Sequence, residues 1–452
     1  MINAPLVAFY GDDFTGAVAN LAEFDALGLR GMLLPTTPAG DVDLAGYDVV
    51  GIAGTARSLA GSAFDDEVAP ALRFLHGLRP RVLQYKLCST FDSSPRVGNL
   101  GRVIELAHAE FGFRTFPVVP ADPGFGRYTV FGNHFANDNG EVVRLDRHPT
   151  MSVHPSTPMS EADLRRHLAA QTTMLVDTID WRTVRAGASA VHRTWRNAQR
   201  SQPSAVVLDT LTDGDLTALG LFLWQLAADE PTLVLGSQGI ARGLARAAVE
   251  GRTTASAGPA DQAGAAAEGR GVLVLSGSAS PQSAAQIEAA LAAGWLGIEC
   301  DVPAVVDATH RLRWSRDTAM RICAALGSGR HVVAYSTIGK PASAASTSPE
   351  DVSAAIGSAY ADCLRQVMDA APVQRLVVAG GDTSSHFVRS LGVGRLEIAR
   401  NAVVDGLSQL KAVPDGRLSG SGLSRLGSLE LFLKAGQAGS AELYLKIAGI
   451  TD

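Results

Sequence analysis

Cysteine is scarce in this chain: there are four in 452 residues, Cys88, Cys300, Cys323 and Cys363, and no two are spaced as CxxC. Their scatter fits reduced thiols in a cytoplasm, which is the expectation. Cys88 is expected to be a small packed side chain. No run of about 18 apolar residues occurs, and no membrane-spanning helix is expected. The first residues hold no basic segment followed by a cleavable apolar one, so no secretory leader is expected. Basic stripes are missing as well, and a net charge of −6 argues against nucleic acid as a partner. Neither GxxxxGK[ST] nor a strand-borne GxGxxG occurs, so any nucleotide must sit in a different cradle. His134, His148 and His154 lack metal-ligand spacing and read as hydrogen-bonding loop residues. No repeat of solenoid period is present.

What is there describes a globular, enzyme-like chain, 46% hydrophobic and 19% charged. It is too long for one ordinary core, which makes two domains the expectation. Short apolar runs at 6–10, 47–53, 81–85, 115–119, 174–176, 205–208 and 232–235 alternate with helical patterns, the signature of βαβ units. Polar residues gather just past these runs: Arg57, Lys86 with Ser89 and Thr90, Asp122 to Arg127, Asp177, Asp209 and Gly236-Ser237. Residues 130–158 break into His, Pro, Asn and Gly and read as an irregular excursion. A helix is expected over 161–171, capped by Ser160. Residues 251–271, rich in Ala, Gly, Thr and Ser, read as a linker between domains at 1–250 and 272–452. Beyond it, strands are expected at 272–275, 331–335, 376–378, 429–433 and 443–447.

The chain reads as organised around Gly11-Asp12-Asp13-Phe14-Thr15-Gly16-Ala17. Adjacent carboxylates in a strand-to-helix turn are costly unless a metal, a cation or a proton-transfer task compensates them. A plainer role for one of them is N-cap of the following helix, with Thr15 in support. Arg57, Lys86 and Arg127 could hold a carboxylate, or could form ordinary salt bridges. The second half carries three small-polar loops after strands, SGSAS (Ser276 to Ser280), GGDTS (Gly380 to Ser384) and KAGQAG (Lys434 to Gly439). Such loops let backbone N–H groups converge on an anion, although a tight turn looks the same.

Together these motifs resemble the four-carbon acid sugar kinase family. GDDFTGA is similar to ADDFTGA or ADDLTGA, and KLCSTFDSSPRVGNLG to KYCSTFDSTPEGNIG. His154-Pro155-Ser156-Thr157-Pro158-Met159 resembles HPxTPM, and GSQGIARGL resembles GGSGLAxGL. SGSAS stands for SGSCS, VVAGGDTS for VVAGGETS and LKAGQAG for LKSGNFG. The likeness runs in order from residue 6 to 447. Three departures stand out: Asp382 replaces a Glu, the KAGQAG loop loses a hydroxyl and an aromatic, and 126–133 replaces NGRTVYQG.

The resemblance implies an α/β fold of two three-layer α/β/α domains with largely parallel sheets and an active site in the interdomain cleft. It implies ATP-dependent phosphorylation of the terminal hydroxyl of a short sugar acid. 3-Oxo-tetronate is the first expectation; threonate, erythronate and 3-oxo-isoapionate are the alternatives. Asp12 or Asp13 would accept or orient the hydroxyl proton, while its neighbour supports Mg2+ or a cation. Arg57, Lys86 and Arg127, with Ser89 and Thr90, would bind the acid. Ser276, Ser278, Ser280, Gly380, Gly381, Asp382, Thr383, Gly436 and Gly439 would bind ATP. Two rivals stay open: an aspartyl-nucleophile phosphohydrolase, which wants Asp-x-Asp-x-Thr, and a non-catalytic nucleotide or metabolite sensor. Oligomeric state is open too.

Overall fold

The computed structural model describes residues 4–138, 140–154, 156–197, 202–229, 232–251, 271–340, 344, 347–371, 373–415 and 423–450. Most of the expected linker, 252–270, and Pro155 of the HPSTPM stretch lie outside the described residues. The chain divides into two compact units, Met1–Gly258 and Pro259–Asp452.

The first unit has an eight-stranded sheet. In chain order its strands are β1 (Val7–Gly11), β2 (Gly31–Leu34), β3 (Val49–Ala53), β4 (Val82–Lys86) and β5 (Thr115–Val119). Then come β6 (Arg127–Val130), β7 (Asn133–Asp138) and β8 (Glu141–Arg144) in a separate antiparallel sheet, followed by β9 (Leu175–Ile179), β10 (Ser204–Leu208) and β11 (Leu233–Gly236). The main sheet runs β2-β3-β1-β4-β11-β5-β10-β9 and every pairing in it is parallel. A sheet covered on both faces needs apolar side chains on both, which is why its strands read as unbroken apolar runs. Ala8, Tyr10, Val50 and Ile52 meet Phe64, Val68 and Leu72 of helix Gly61–Gly77 and Val103 of helix Leu100–Phe111 on one side. Helices Phe14–Asp25, Asp213–Asp229 and Gln238–Glu250 pack together.

A polar pair lies within this interior. Gln84, inside β4, exchanges amide hydrogen bonds with Asn20 of helix Phe14–Asp25 (3.0 and 3.1 Å). Its Nε2 also reaches the carbonyls of Gly236 and Ser237, both at 3.2 Å. A buried amide is tolerated only when its donors and acceptor are matched.

The second unit continues with β12 (Val272–Ser276), β13 (Leu296–Glu299), β14 (Val332–Tyr335), β15 (Arg375–Ala379), β16 (Val393–Val404), β17 (Leu407–Pro414) and β18 (Glu430–Lys434). Its order is β13-β14-β12-β15-β18-β17-β16, parallel through β18, with β17 and β16 antiparallel. Val272, Val274, Val333, Val377 and Phe432 pack against Ile287, Leu443, Tyr444 and Ile447.

Three local expectations are corrected. Residues 443–447 are not a strand: they lie in helix Leu443–Ala448, where Leu443, Tyr444 and Ile447 share the buried face. That i, i+1, i+4 set is helical spacing, which a five-residue apolar run cannot distinguish from a strand. The helix expected over 161–171 is only Leu164–Ala169, and Asp163, not Ser160, caps it through Arg165 N–H. The excursion over 130–158 contains the β6–β7–β8 sheet rather than irregular chain alone.

Asn20→Ala strands the Gln84 carbonyl oxygen in the interior, and it is expected to lower unfolding stability by about 1–3 kcal/mol in urea titration. Replacing both amides by Leu should recover part of that loss; an equal or larger loss in the double variant contradicts the pairing.

Candidate active site

In the first unit the chain goes from β1 out to β2, comes back to lay β3 between them, and then crosses to place β4 on the other side of β1. Loops leaving the carboxyl ends on either side of such a reversal part, and ligands bind there. Backbone hydrogen bonds continue one step past the strands: Asp12 N–H donates to the Lys86 carbonyl (2.9 Å), and Arg57 N–H donates to the Asp12 carbonyl (3.0 Å). Asp12 is thereby set between an arginine and a lysine.

The side chains complete the cluster. Arg57 Nη2 donates to Asp12 Oδ1 at 2.7 Å and to Asp13 Oδ1 at 2.6 Å, while its Nε reaches Asp12 Oδ2 at 3.3 Å. Lys86 Nζ stands 3.8 Å from Asp13 Oδ1, with the lysine only 2% exposed. Asp13 caps helix Phe14–Asp25 as well, accepting from Gly16 N–H (3.1 Å) and the Thr15 hydroxyl (2.9 Å). A Cβ at Gly16 would lie 2.2 Å from Asp13 Oδ1 and 2.3 Å from Lys86 Nζ, so only glycine lets the acid and the ammonium share this turn.

Electrostatics separates the two acids. Burial pushes the Asp12 carboxyl up, and Arg57 and Lys86 offset this only in part. Burial opposes ionisation of Asp13 too, but Arg57, Lys86, the Thr15 hydroxyl and Gly16 N–H together hold it down to about 2. Asp12 is 3% exposed at its side chain and Asp13 21%, so Asp13 is the carboxylate open to a ligand. Arg57 is raised well above its usual range: burial works against its charge, and the two aspartates more than compensate.

Past β4, Ser89 is half-buried and Thr90 is buried. The Thr90 hydroxyl donates to Asp92 Oδ1 (2.8 Å), leaving the Cys88 thiol to donate to Thr90 Oγ1 (2.9 Å). Burial pushes that thiol up to about 11, consistent with a packed rather than a nucleophilic cysteine. The Ser89 carbonyl can only accept, so His134 Nε2 carries the proton given to it (2.7 Å) and Nδ1 accepts from the Thr129 hydroxyl (2.9 Å). This imidazole, fully buried on β7, ties the small sheet to the loop after β4. Arg127 opens β6 with Nη1 on the Phe125 carbonyl (2.6 Å). Its charge is felt at His134, and it shares no hydrogen bond with the Asp12–Asp13–Arg57–Lys86 cluster. Asp209 accepts from the N–H groups of Phe131, Gly132 and Trp181 and so shapes the turn between β6 and β7. His134 and Asp209 were visible in sequence only as a loop histidine and a polar residue past a strand.

In the second unit the reversal falls between β12 and β15. The 276–280 loop leaves β12 there, and the 380–383 turn leaves β15. Gly380 has φ +111° and heads helix Gly381–Leu391 without a side-chain cap. A Cβ on Gly277 would stand 2.1 Å from Thr383 Oγ1, and one on Gly436 would stand 3.0 Å from Ser278 Oγ, so the three loops meet backbone to side chain. Ser280 caps helix Pro281–Ala292 and donates to the Gly436 carbonyl at 2.6 Å. Gln282 Nε2 holds the Gly439 carbonyl (2.7 Å), and Gln286 Nε2 holds those of Ala438 (3.0 Å) and Ser440 (2.8 Å). Ser276 is buried, Gly381 half-buried and Asp382 exposed in the first helical turn. The structure thus gathers 276–280, 380–383 and 434–439 into one cradle. Sequence reasoning named this loop but gave Lys434 no role; the signal was a lysine ending an apolar strand.

Among the described residues no three His, Cys, Asp or Glu side chains cluster as a metal cage.

Known proteins match along the same division. A model of a sugar-binding N-terminal domain matches residues 7–244, and one of a nucleotide-binding C-terminal domain matches 273–443. A 3-oxo-isoapionate kinase of Paraburkholderia graminis is 34% identical, covering 97% of this chain and 93% of that one. A 3-oxo-tetronate kinase of Pseudomonas fluorescens is 30% identical (98% and 97%), and one of Brucella melitensis 31% (98% and 94%). A solved Haemophilus influenzae protein of the DUF1537 family shares the fold at TM-score 0.71, with 24% identity and 98% and 99% coverage. The chain belongs to the four-carbon acid sugar kinase family, as the motifs led one to expect. It is a kinase, with a nucleotide-binding C-terminal domain that implies ATP as phosphoryl donor.

Burial pushes the His134 imidazole down to about 4 from the ordinary 6.5. The unfolded chain takes up this proton first, so the stability His134 contributes is complete above pH 6.5 and is lost as pH falls towards 4. His134→Gln is expected to flatten the acid side of the stability–pH curve in that window, measured by urea unfolding; an unchanged slope contradicts a neutral buried imidazole.

Proposed function

We propose that the protein transfers the γ-phosphoryl group of ATP to the terminal hydroxyl of a short 3-oxo sugar acid. The observation that carries this reading is the Asp12–Asp13–Arg57–Lys86 cluster at the strand reversal of a sugar-binding domain. 3-Oxo-tetronate was the first expectation. The 34% identity to a 3-oxo-isoapionate kinase favours the branched acid as an equal reading.

Phosphoryl transfer asks for positioning and charge stabilisation more than for covalent chemistry. Asp13, ionised across the working range and partly open, orients the attacking hydroxyl and takes its proton late, as the new bond forms. Asp12 holds Arg57 in place from beneath. Lys86 and Arg57, through Nη1, the nitrogen used on neither aspartate, face the acid's carboxylate and its developing charge. Arg127 and Ser89 contact the far end of the acid, and Thr90 shapes the segment after β4 that carries Ser89. In the second domain Ser276, Ser278, Ser280, Gly380, Gly381, Thr383, Gly436 and Gly439 surround the phosphates. Mg2+ keeps several waters and needs only one or two carboxylates besides phosphate oxygens, so the lack of a three-ligand cage does not conflict with it. Asp382, exposed beside the cradle, would be its protein ligand, and the ion would neutralise phosphate charge. Water exclusion during turnover limits wasteful hydrolysis.

An ADP-release assay over 3-oxo-tetronate, 3-oxo-isoapionate, threonate and erythronate, with and without Mg2+, tests the reading. Asp13→Asn keeps a good helix cap but removes the charge. It is expected to cut turnover by about 100-fold or more while leaving ATP affinity nearly unchanged. Unchanged turnover removes Asp13 from the chemistry, and ATP binding without turnover of any acid supports a sensor instead.

A further inference from the structure

Lys434 is the last residue of β18 and is completely buried. Its ammonium has three donors, and each finds an oxygen: Ser283 Oγ at 3.0 Å, the Ala435 carbonyl at 3.0 Å and the Gly436 carbonyl at 2.8 Å. None of the three is a carboxylate. Ser280 and Ser283 point their hydroxyls at the same Gly436 carbonyl (2.6 and 3.1 Å). The Ala435 carbonyl also accepts from Ala438 N–H (3.1 Å), closing a turn over 435–438. Burial pushes this amine down to about 7, so holding a proton here costs the fold.

What that cost achieves follows from the peptide plane. In a trans peptide the carbonyl and the N–H of the same unit point in opposite directions. Drawing the Ala435 carbonyl inward turns the Gly436 N–H outward, and drawing the Gly436 carbonyl inward does the same to the Gln437 N–H. Successive N–H groups facing one way make an anion-binding concavity. Both therefore point away from Lys434, Ser280 and Ser283, the groups that hold the Gly436 carbonyl.

We propose that Lys434 is a positioning residue of the nucleotide site: it clamps the Ala435 and Gly436 carbonyls so that the N–H groups of Gly436 and Gln437 are presented to a phosphate of ATP. Lys434 itself does not touch the nucleotide. This rests on the nucleotide-cradle reading above and assigns the donors within it.

The test measures ATP affinity by titration calorimetry, the KM for the sugar acid, and amide hydrogen exchange over 434–440 with and without ATP. Lys434→Met fills a similar volume without a buried charge, so the fold is expected to persist. The proposal expects ATP-induced protection at 436–437 in the parent protein; in Lys434→Met it expects that protection to be lost, ATP affinity to weaken by about tenfold or more, and the KM for the acid to be unchanged. Ser283→Ala keeps the charge and removes one arm of the clamp; it is expected to weaken ATP binding by a smaller factor in the same direction. If Lys434→Met does not fold, Ser283→Ala decides alone. Full ATP affinity and protection in a folded Lys434→Met, or in Ser283→Ala in its place, overturns the proposal. A parent protein that binds ATP but phosphorylates no acid contradicts the proposed function and leaves this assignment readable from the affinities. A parent that binds no ATP overturns both.

Discussion

Two carboxylates and two cations share a largely buried space at the carboxyl end of β1, and the rest of the first unit serves to keep them there. Removing a single member would leave its partners charged and uncompensated in a poorly solvated place, a loss of several kcal/mol, about 3–5 for a buried pair. Backbone pairing fixes the spacing, since Asp12 bonds to Lys86 on one side and Arg57 on the other. Gly16 leaves the room, and Arg57 and Lys86, helped by the Thr15 hydroxyl and Gly16 N–H, keep Asp13 ionised against its burial. The field at the site is therefore built before any substrate arrives, which is the economical arrangement for a reaction whose demand is charge stabilisation.

The two units use one topological device with different chemistry. Each reverses its strand order beside its first strand, β1 in one and β12 in the other, and each places its candidate ligand loops at that point. The first furnishes the reversal with charged side chains, suited to a small acid with one carboxylate and one reacting hydroxyl. The second furnishes it with Gly and Ser loops whose donors are backbone N–H groups and hydroxyls, suited to a polyphosphate that needs many hydrogen bonds. The loops of the second are held from behind, by Lys434, Ser280, Gln282 and Gln286.

Much of this was legible in the sequence. Parallel strands covered on both faces announce themselves as short apolar runs, and β1, β3, β4, β5, β9, β10, β11, β12, β14, β15 and β18 were all anticipated near their observed places. Family membership was legible because its motifs sit at strand ends in fixed order. Short exposed or strongly polar strands were not: β7 reads Asn-His-Phe-Ala-Asn-Asp, and its buried His134 and Ala136 are outnumbered by polar neighbours. The helix at Leu443–Ala448 was missed because one and a half turns of apolar residues carry no distinguishing period. Roles that depend on tertiary partners were hidden too: nothing local tells that Arg57 lies across both aspartates, or that Lys434 faces carbonyls.

The central claim is that Asp12, Asp13, Arg57 and Lys86 serve phosphoryl transfer to a hydroxyl. The most direct measurement is 31P NMR of the protein incubated with ATP, Mg2+ and 3-oxo-tetronate or 3-oxo-isoapionate. The account predicts a new phosphomonoester resonance, split by the terminal methylene protons, growing as the γ-phosphate signal falls. ADP and inorganic phosphate alone, or an unchanged ATP spectrum with both acids, would contradict it.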